Sequence, residues 1–476
     1  MSAGTKERWS SHAVFIIAAI GAAVGIGNIW RFPAMLGENG GGAYLVPYLI
    51  AVFAFGLPLM ILEITMGRHF RGTVVSAFRA VRPEFRIIGW LICAIIFLIL
   101  TYYIVITGWT IAYTLFSATG SAATFATFTG SYLPVLFAVI AVLLTGLVVA
   151  AGVKNGIERI SVTMVPLIVI ILAVMVLYCT MLPQFMDGLL FVFTPDLSAL
   201  TRPGLWVAAF GQAFFSLSVG EGILLTYGAY LAKDEDIPRS SLIITGADVS
   251  VSLLAALVIF PIVFSFGLSP SAGTELAFTT LPLAFSLMPA GQLVAVAFFV
   301  VLFFAAFTSA VSMLEVSVAS VQEATAWARR RTATVLTGIL LVVSIIPALS
   351  FSAAQLSLGG IPVLDLMDET IGTIGLHLSA AIMAIAFTWF LPRDVFESET
   401  KQSFLMSRVV FPLCKYVIPA ALLVTIGVHM VSGFEFPDAT YVAGVHYLNA
   451  WIQTGGLATF IAGSLVIILI IDKIRR

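Results

Sequence analysis

The chain has little charge: of its 476 residues only 10% are Asp, Glu, Lys or Arg, while 60% are hydrophobic. A water-soluble domain needs about a quarter of its residues charged to cover its surface, so that class is excluded and the bilayer is the solvent. Cysteine is scarce too. Cys93, Cys179 and Cys414 lie far apart, in or beside apolar runs, which excludes a disulfide framework or a cysteine metal centre and leaves three buried small apolar side chains. No His, Cys or paired-carboxylate arrangement offers a nucleophile and base at compatible spacing, so the chain is not expected to be an enzyme. No connecting segment is long enough for a soluble domain, and no nucleic-acid partner is expected.

What the sequence does hold is long apolar runs. Roughly 20 apolar residues cross the hydrocarbon core, and polar punctuation cuts the chain into twelve predicted spans near 12–36, 41–69, 87–117, 133–151, 158–182, 205–231, 239–267, 290–325, 332–349, 362–391, 404–432 and 446–472. They are numbered 1 to 12 below. A thirteenth helical piece, too short and too proline-marked to cross, is expected near 275–287. The fold class is therefore an all-α polytopic membrane protein, a single domain over 1–476. All but Arg31 and Arg202 of the 23 Lys and Arg fall on one side once the N-terminus is placed inside. The positive-inside rule then puts both termini in the cytoplasm and the protein in the plasma (inner) membrane as a multi-pass chain. Span 1 is too long for a signal-peptide core and carries its own polar motif, so it is retained.

Spans 1 and 6 differ from the rest. Span 1 carries glycines at 21, 25 and 27 with Asn28 at mid-depth, and span 6 reads Gly-Gln-Ala-Phe-Phe-Ser-Leu-Ser-Val-Gly-Glu-Gly from Gly211 to Gly222. A helix in lipid is broken only where protein or a water-lined cavity satisfies the freed backbone groups. Broken helices heading two successive five-helix groups point to an inverted-repeat transporter with its site at the midplane. The repeats would be about 12–182 and 205–391, with accessory helices about 404–472. Simple close packing of small residues is the alternative, but Gly25 and Gly27 do not share a helix face.

The run from Gly21 through Asn28 to Arg31-Phe32-Pro33, followed by Glu38-Asn39-Gly40-Gly41-Gly42-Ala43, resembles the opening of the neurotransmitter:sodium symporters. So do Glu63 with Met66-Gly67-Arg68, Tyr102-Tyr103, Gly211-Gln212 through Ser218, and Thr308-Ser309. The likeness covers essentially the whole chain and points to the bacterial and archaeal amino-acid branch, with ten core helices plus two. It implies two sodium sites. The first would use carbonyls of Gly21, Val24 and Ala305 and the hydroxyls of Thr308 and Ser309; the second, beside the substrate, Ala23, Asn28, Ser216 and Asp248. Carbonyl and hydroxyl dipoles gathered at a helix break can dehydrate a hard cation, although such hydroxyls also bond back to their own helix. Relatives commonly have Asn at the Asp248 position.

Chloride-dependent relatives hold the anion with residues matching Tyr48, Gln212, Ser216 and Ser252, and a fixed charge at Asp248 is expected to make chloride unnecessary. Gly25 sides with amino-acid carriers, because monoamine carriers have Asp there. The resemblance implies a substrate site of Ala23, Gly25, Gly27, Tyr103, Phe215, Ser216 and Ser218 around the amino-acid head group. Ile99, Ser218, Glu221, Ser309 and Met313 would line the side-chain pocket. Glu221 departs from the family, which usually has an aromatic or aliphatic residue. A charge there is costly unless paired, so either the substrate brings a cation or the carboxyl is protonated or turned away. Arg31 and Asp365 are expected to gate the outside with Phe215 as lid. Lys6 and Glu323, with Trp9 and Tyr230, are expected to gate the inside, and the Arg329–Arg331 run is read as a solvated loop. The expected activity is sodium-coupled symport of an amino acid by alternating access. An amine or osmolyte carrier, or a channel or sensor on the same scaffold, is the alternative, and the oligomeric state stays open.

Overall fold

The computed structural model describes residues 7–121, 123–270, 276–401 and 403–432. Lys6 and span 12 lie outside the described residues. Spans 2, 3, 4, 5, 7, 8, 9, 10 and 11 appear as helices long and apolar enough to cross a membrane: Gly42–Phe70, Pro83–Thr119, Leu133–Ala150, Val153–Cys179, Ile237–Ser265, Gly291–Thr325, Arg329–Ser350, Val363–Trp389 and Met406–Gly427. The thirteenth piece is present as Leu276–Leu287.

Span 1 is bent by 55° between His12–Ala23 and Gly27–Glu38. Its first half closes when the Val24 N–H donates to Ile20 O at 2.7 Å. Val24 then turns extended, with φ −69° and ψ 104°. The freed Gly25 N–H is taken by Asn28 Oδ1 at 2.9 Å, so the polar residue at mid-depth caps the break it accompanies. Span 6 breaks more fully. Pro203–Ser216 and Ile223–Ala229 are each too short to cross alone. Between them Gly220 and Gly222 adopt φ +88° and +74°, left-handed values that a side chain would oppose. Glu63 of span 2 accepts the Gly220 N–H at 2.5 Å, and Ser379 of span 10 donates to the Gly220 carbonyl. Both backbone polar groups of Gly220 are thereby satisfied away from water.

Span 8, with 35 residues, packs along span 3 as the main axis of the bundle. At 1.5 Å per residue it runs about 50 Å, well past the roughly 30 Å hydrocarbon core. Both breaks lie beside this axis. A two-stranded hairpin, Ser357–Leu358 with Ile361–Pro362, precedes span 10.

Candidate functional site

Thr308 and Ser309 stand on span 8 opposite the break in span 1. Ser309 Oγ donates to Ala22 O at 3.1 Å and to Val24 O at 3.3 Å. Thr308 Oγ1 bonds back to Phe304 O and Ala305 O at 3.0 and 3.1 Å. A Cβ added at Gly21 would come 3.5 Å from Thr308 Cβ. All five residues named for the first ion site therefore meet at one place. Ser309 reaches across to span 1, whereas Thr308 makes the back-bond of an ordinary helical threonine.

The second cluster is tighter. Asn28 Nδ2 donates to Ser216 Oγ at 2.8 Å, Asp248 Oδ1 at 2.6 Å, Asp248 O at 3.2 Å and Ser252 Oγ at 2.9 Å. Ser216 Oγ donates to Asp248 Oδ2 at 2.9 Å. Gln212 Nε2 donates to Gly27 O at 2.7 Å, and Tyr48 lies against Ser216 and Ser252 within the field of Asp248. Every one of these residues is fully or almost fully buried. The four positions matching an anion site and the aspartate expected to replace the anion thus form one network, which joins spans 1, 2, 6 and 7.

Between the clusters lie the residues expected from the sequence to surround a substrate head group. The Tyr103 hydroxyl accepts the Ile26 N–H at 3.2 Å, and a Cβ on Gly25 would come 2.8 Å from both Tyr103 Oη and Ser309 Oγ. Gly27 is closed in by Phe215, whose Cδ1 would stand 2.9 Å from an added Cβ. Ser218, held at φ +50°, donates to Ala22 O at 3.1 Å. Ala23, Ile99 and Met313 are buried, the last two one helical turn from Tyr103 and Ser309 respectively. Glu221 is also buried, and its Oε2 has no hydrogen-bond partner.

At the outer gate Arg31 lies over the Phe215 ring, 4.5 Å from its centroid. Asp368 and Glu38 both lie in the Arg31 field, Asp368 beside the Tyr102 hydroxyl as well. Asp365, the residue named from sequence, lies three positions before Asp368 on the same span. At the N-terminal end of span 1 Trp9 packs edge-on against Tyr227 and Tyr230, and its Nε1 donates to Tyr227 O at 2.9 Å. Glu323 accepts the Thr73 N–H and the Ser76 hydroxyl, each at 3.1 Å.

Arg329 is not a solvated loop residue. Its guanidinium donates to both oxygens of fully buried Glu315 at 3.1 and 2.5 Å and to Val149 O at 3.0 Å, and lies 3.6 Å from Glu7. Tyr230 adds its hydroxyl to Glu315 at 2.9 Å. Sequence order hides this pair, because it forms only after the chain reverses at Ala326, which takes φ +56° at the end of span 8. A lone buried acid on a span was its one legible signal.

The sequence model of the sodium:neurotransmitter symporter family matches residues 6–132 and 127–475. An uncharacterized sodium-dependent transporter of Bacillus subtilis, YhdH, is 34% identical over 89% of this chain and 98% of its own length. One from Haemophilus influenzae is 32% identical over the same shares. The crystal structure of MhsT in complex with L-phenylalanine superposes with a TM-score of 0.81 at 36% identity, covering 88% of this chain and 98% of that one. A sequence match over nearly the whole chain, joined to the same fold and to the two broken spans, decides the family: the chain belongs to the sodium:neurotransmitter symporters.

Proposed function

We propose that the protein is a sodium-coupled symporter of an amino acid, independent of chloride, working by alternating access. The observation that carries this reading is the meeting of Ser309 with the carbonyls exposed at the break of span 1. Oxygens so placed suit a hard, weakly charged cation that needs no dedicated carboxylate. Gly21, Val24, Ala305, Thr308 and Ser309 would ligate one sodium ion. Ala23, Asn28, Ser216 and Asp248 would take a second, next to the substrate carboxylate.

That carboxylate would meet the Tyr103 hydroxyl and the N–H groups at the start of the second half of span 1, where a helix N-terminus favours an anion. The absence of a side-chain carboxylate at Gly25, beside Tyr103 and Ser309, supports a substrate that brings its own carboxylate, as an amino acid does. MhsT, whose structure holds L-phenylalanine, supports the same class. The substrate ammonium would lie among carbonyls of Ala23, Phe215, Ser216 and Ser218.

Asp248 supports chloride independence. Its two oxygens already occupy the Asn28 and Ser216 donors in the cluster that would otherwise face an anion. The outer gate is assigned to Arg31, Phe215 and Asp368. The inner closure is assigned to Trp9, Tyr230, Glu315 and Arg329, with Glu323 holding the loop after span 2. Sodium drives the cycle by binding the outward state more tightly than the inward one, the two five-helix repeats rocking between them.

Purified protein in proteoliposomes tests the reading. An inward sodium gradient should accumulate labelled amino acid above its outside concentration, and collapse of the gradient should release it. Equilibration without accumulation indicates a channel, and equal accumulation in potassium removes the sodium coupling.

A further inference from the structure

Glu221 sits in the unwound segment of span 6, between Gly220 and Gly222, whose left-handed backbones fix its position. It is 3% exposed, and Oε2 has no hydrogen-bond partner. Its polar surroundings are the Ser218 hydroxyl and a second carboxyl, Glu63, which spends one oxygen on the Gly220 N–H and leaves its own Oε2 without a partner. Ser218 in turn donates to Ala22 O beside the break of span 1, which places Glu221 next to the region where Tyr103 closes over Gly25. No lysine or arginine forms an ion pair with it among the described residues.

A buried carboxylate with neither countercharge nor full hydrogen bonding is strongly disfavoured, and a second carboxyl nearby adds repulsion. Inside a membrane such a group faces a cavity and meets a partner there. We infer that Glu221 is the specificity-determining residue of the central site and that the transported amino acid carries a positively charged side chain whose cation binds this carboxylate.

The inference rests on the amino-acid reading given above. Lysine-type and guanidino side chains both satisfy it, because each delivers a cation at the end of an apolar stem. The stem passes Ile99 and Met313, and the cation reaches Glu221. A carrier for neutral amino acids would leave the carboxylate unpaired through the whole cycle.

Binding of labelled L-lysine, L-arginine and L-norleucine to the purified full-length protein in sodium tests it. Norleucine matches lysine but lacks the ammonium, so the pair isolates the charge. The parent protein should bind lysine or arginine at least about tenfold more tightly than norleucine. Glu221→Gln should lose about a hundredfold in affinity for the cationic ligand, the scale for removing one partner of a buried pair, while norleucine binding holds or improves. Glu221→Met should behave alike, with a sodium-dependent rise in Tm as the check that each variant is folded. Preference of the parent for norleucine overturns the inference and leaves the amino-acid reading standing. Equal loss of both ligands in folded Glu221→Gln overturns it as well, since the residue is then structural. Failure of every amino acid to bind in sodium takes down both readings.

Discussion

Asn28 Nδ2 and Asp248 Oδ1 stand 2.6 Å apart, a charge-assisted hydrogen bond between the break of span 1 and the middle of span 7. Ser216 holds the other carboxylate oxygen at 2.9 Å. On the chloride-independent reading proposed above, this carboxylate takes the place of a diffusible anion among the Asn28 and Ser216 donors. Replacing chloride by gluconate should change uptake by less than about twofold, since one built-in charge makes the diffusible one redundant. Asp248→Asn should make uptake rise with chloride concentration. Uptake by the parent that collapses in gluconate would sink the assignment.

Gly25 has no room for a side chain, because an added Cβ would approach Tyr103 Oη and Ser309 Oγ to 2.8 Å. Overpacking of this kind costs about 1–3 kcal/mol. Gly25→Ala should therefore weaken sodium-dependent substrate binding about tenfold or more. Equilibrium binding of labelled substrate measures this, and unchanged affinity would mean that the substrate does not use the space.

Ser309 contributes oxygen across to span 1, whereas Thr308 bonds within its own helix in this state. Ser309→Ala and Thr308→Val should each raise the sodium concentration for half-maximal uptake, by about tenfold. A shift in maximal rate at constant sodium affinity would instead assign these hydroxyls to packing.

Asp368 lies in the field of Arg31 and beside the Tyr102 hydroxyl. Asp368→Asn should therefore impair uptake several-fold. Uptake assays at matched expression measure this, and unchanged uptake would remove Asp368 from the gate.

Arg329 ties span 9 to Glu315 on span 8, to the end of span 4 and to the N-terminal segment. Removing one partner of a buried ion pair costs about 3–5 kcal/mol. Arg329→Ala should open the cytoplasmic side, lowering sodium-driven uptake and lengthening the distance between spin labels at Arg8 and Lys154. Identical label distances in parent and variant would refute the lock. Arg329→Ala with Glu315→Ala should be less impaired than the sum of the single variants, because the double change leaves no orphaned charge.

Much of this protein is legible without coordinates. Among the described residues, apolar runs of the length a bilayer imposes give nine spans as single helices and span 1 as a bent pair, since a lipid-exposed backbone has no choice but the helix. Gly25, Asn28, Gly220 and Gly222 mark the two breaks because only such residues allow a helix to stop at mid-depth and still satisfy its peptides. That Thr308, Ser309, Tyr103 and Asp248 lie buried beside these breaks fits the signature in which they fall.

Only the tertiary structure decided the fate of Arg329. A basic run after a span reads as a solvated loop, and whether it turns back into the bundle depends on the left-handed residue Ala326 and on a buried glutamate fourteen positions earlier. Solvent fixes which segments are helical. The pairing of charges, being a matter of which side chains converge after the helices pack, is left to the fold.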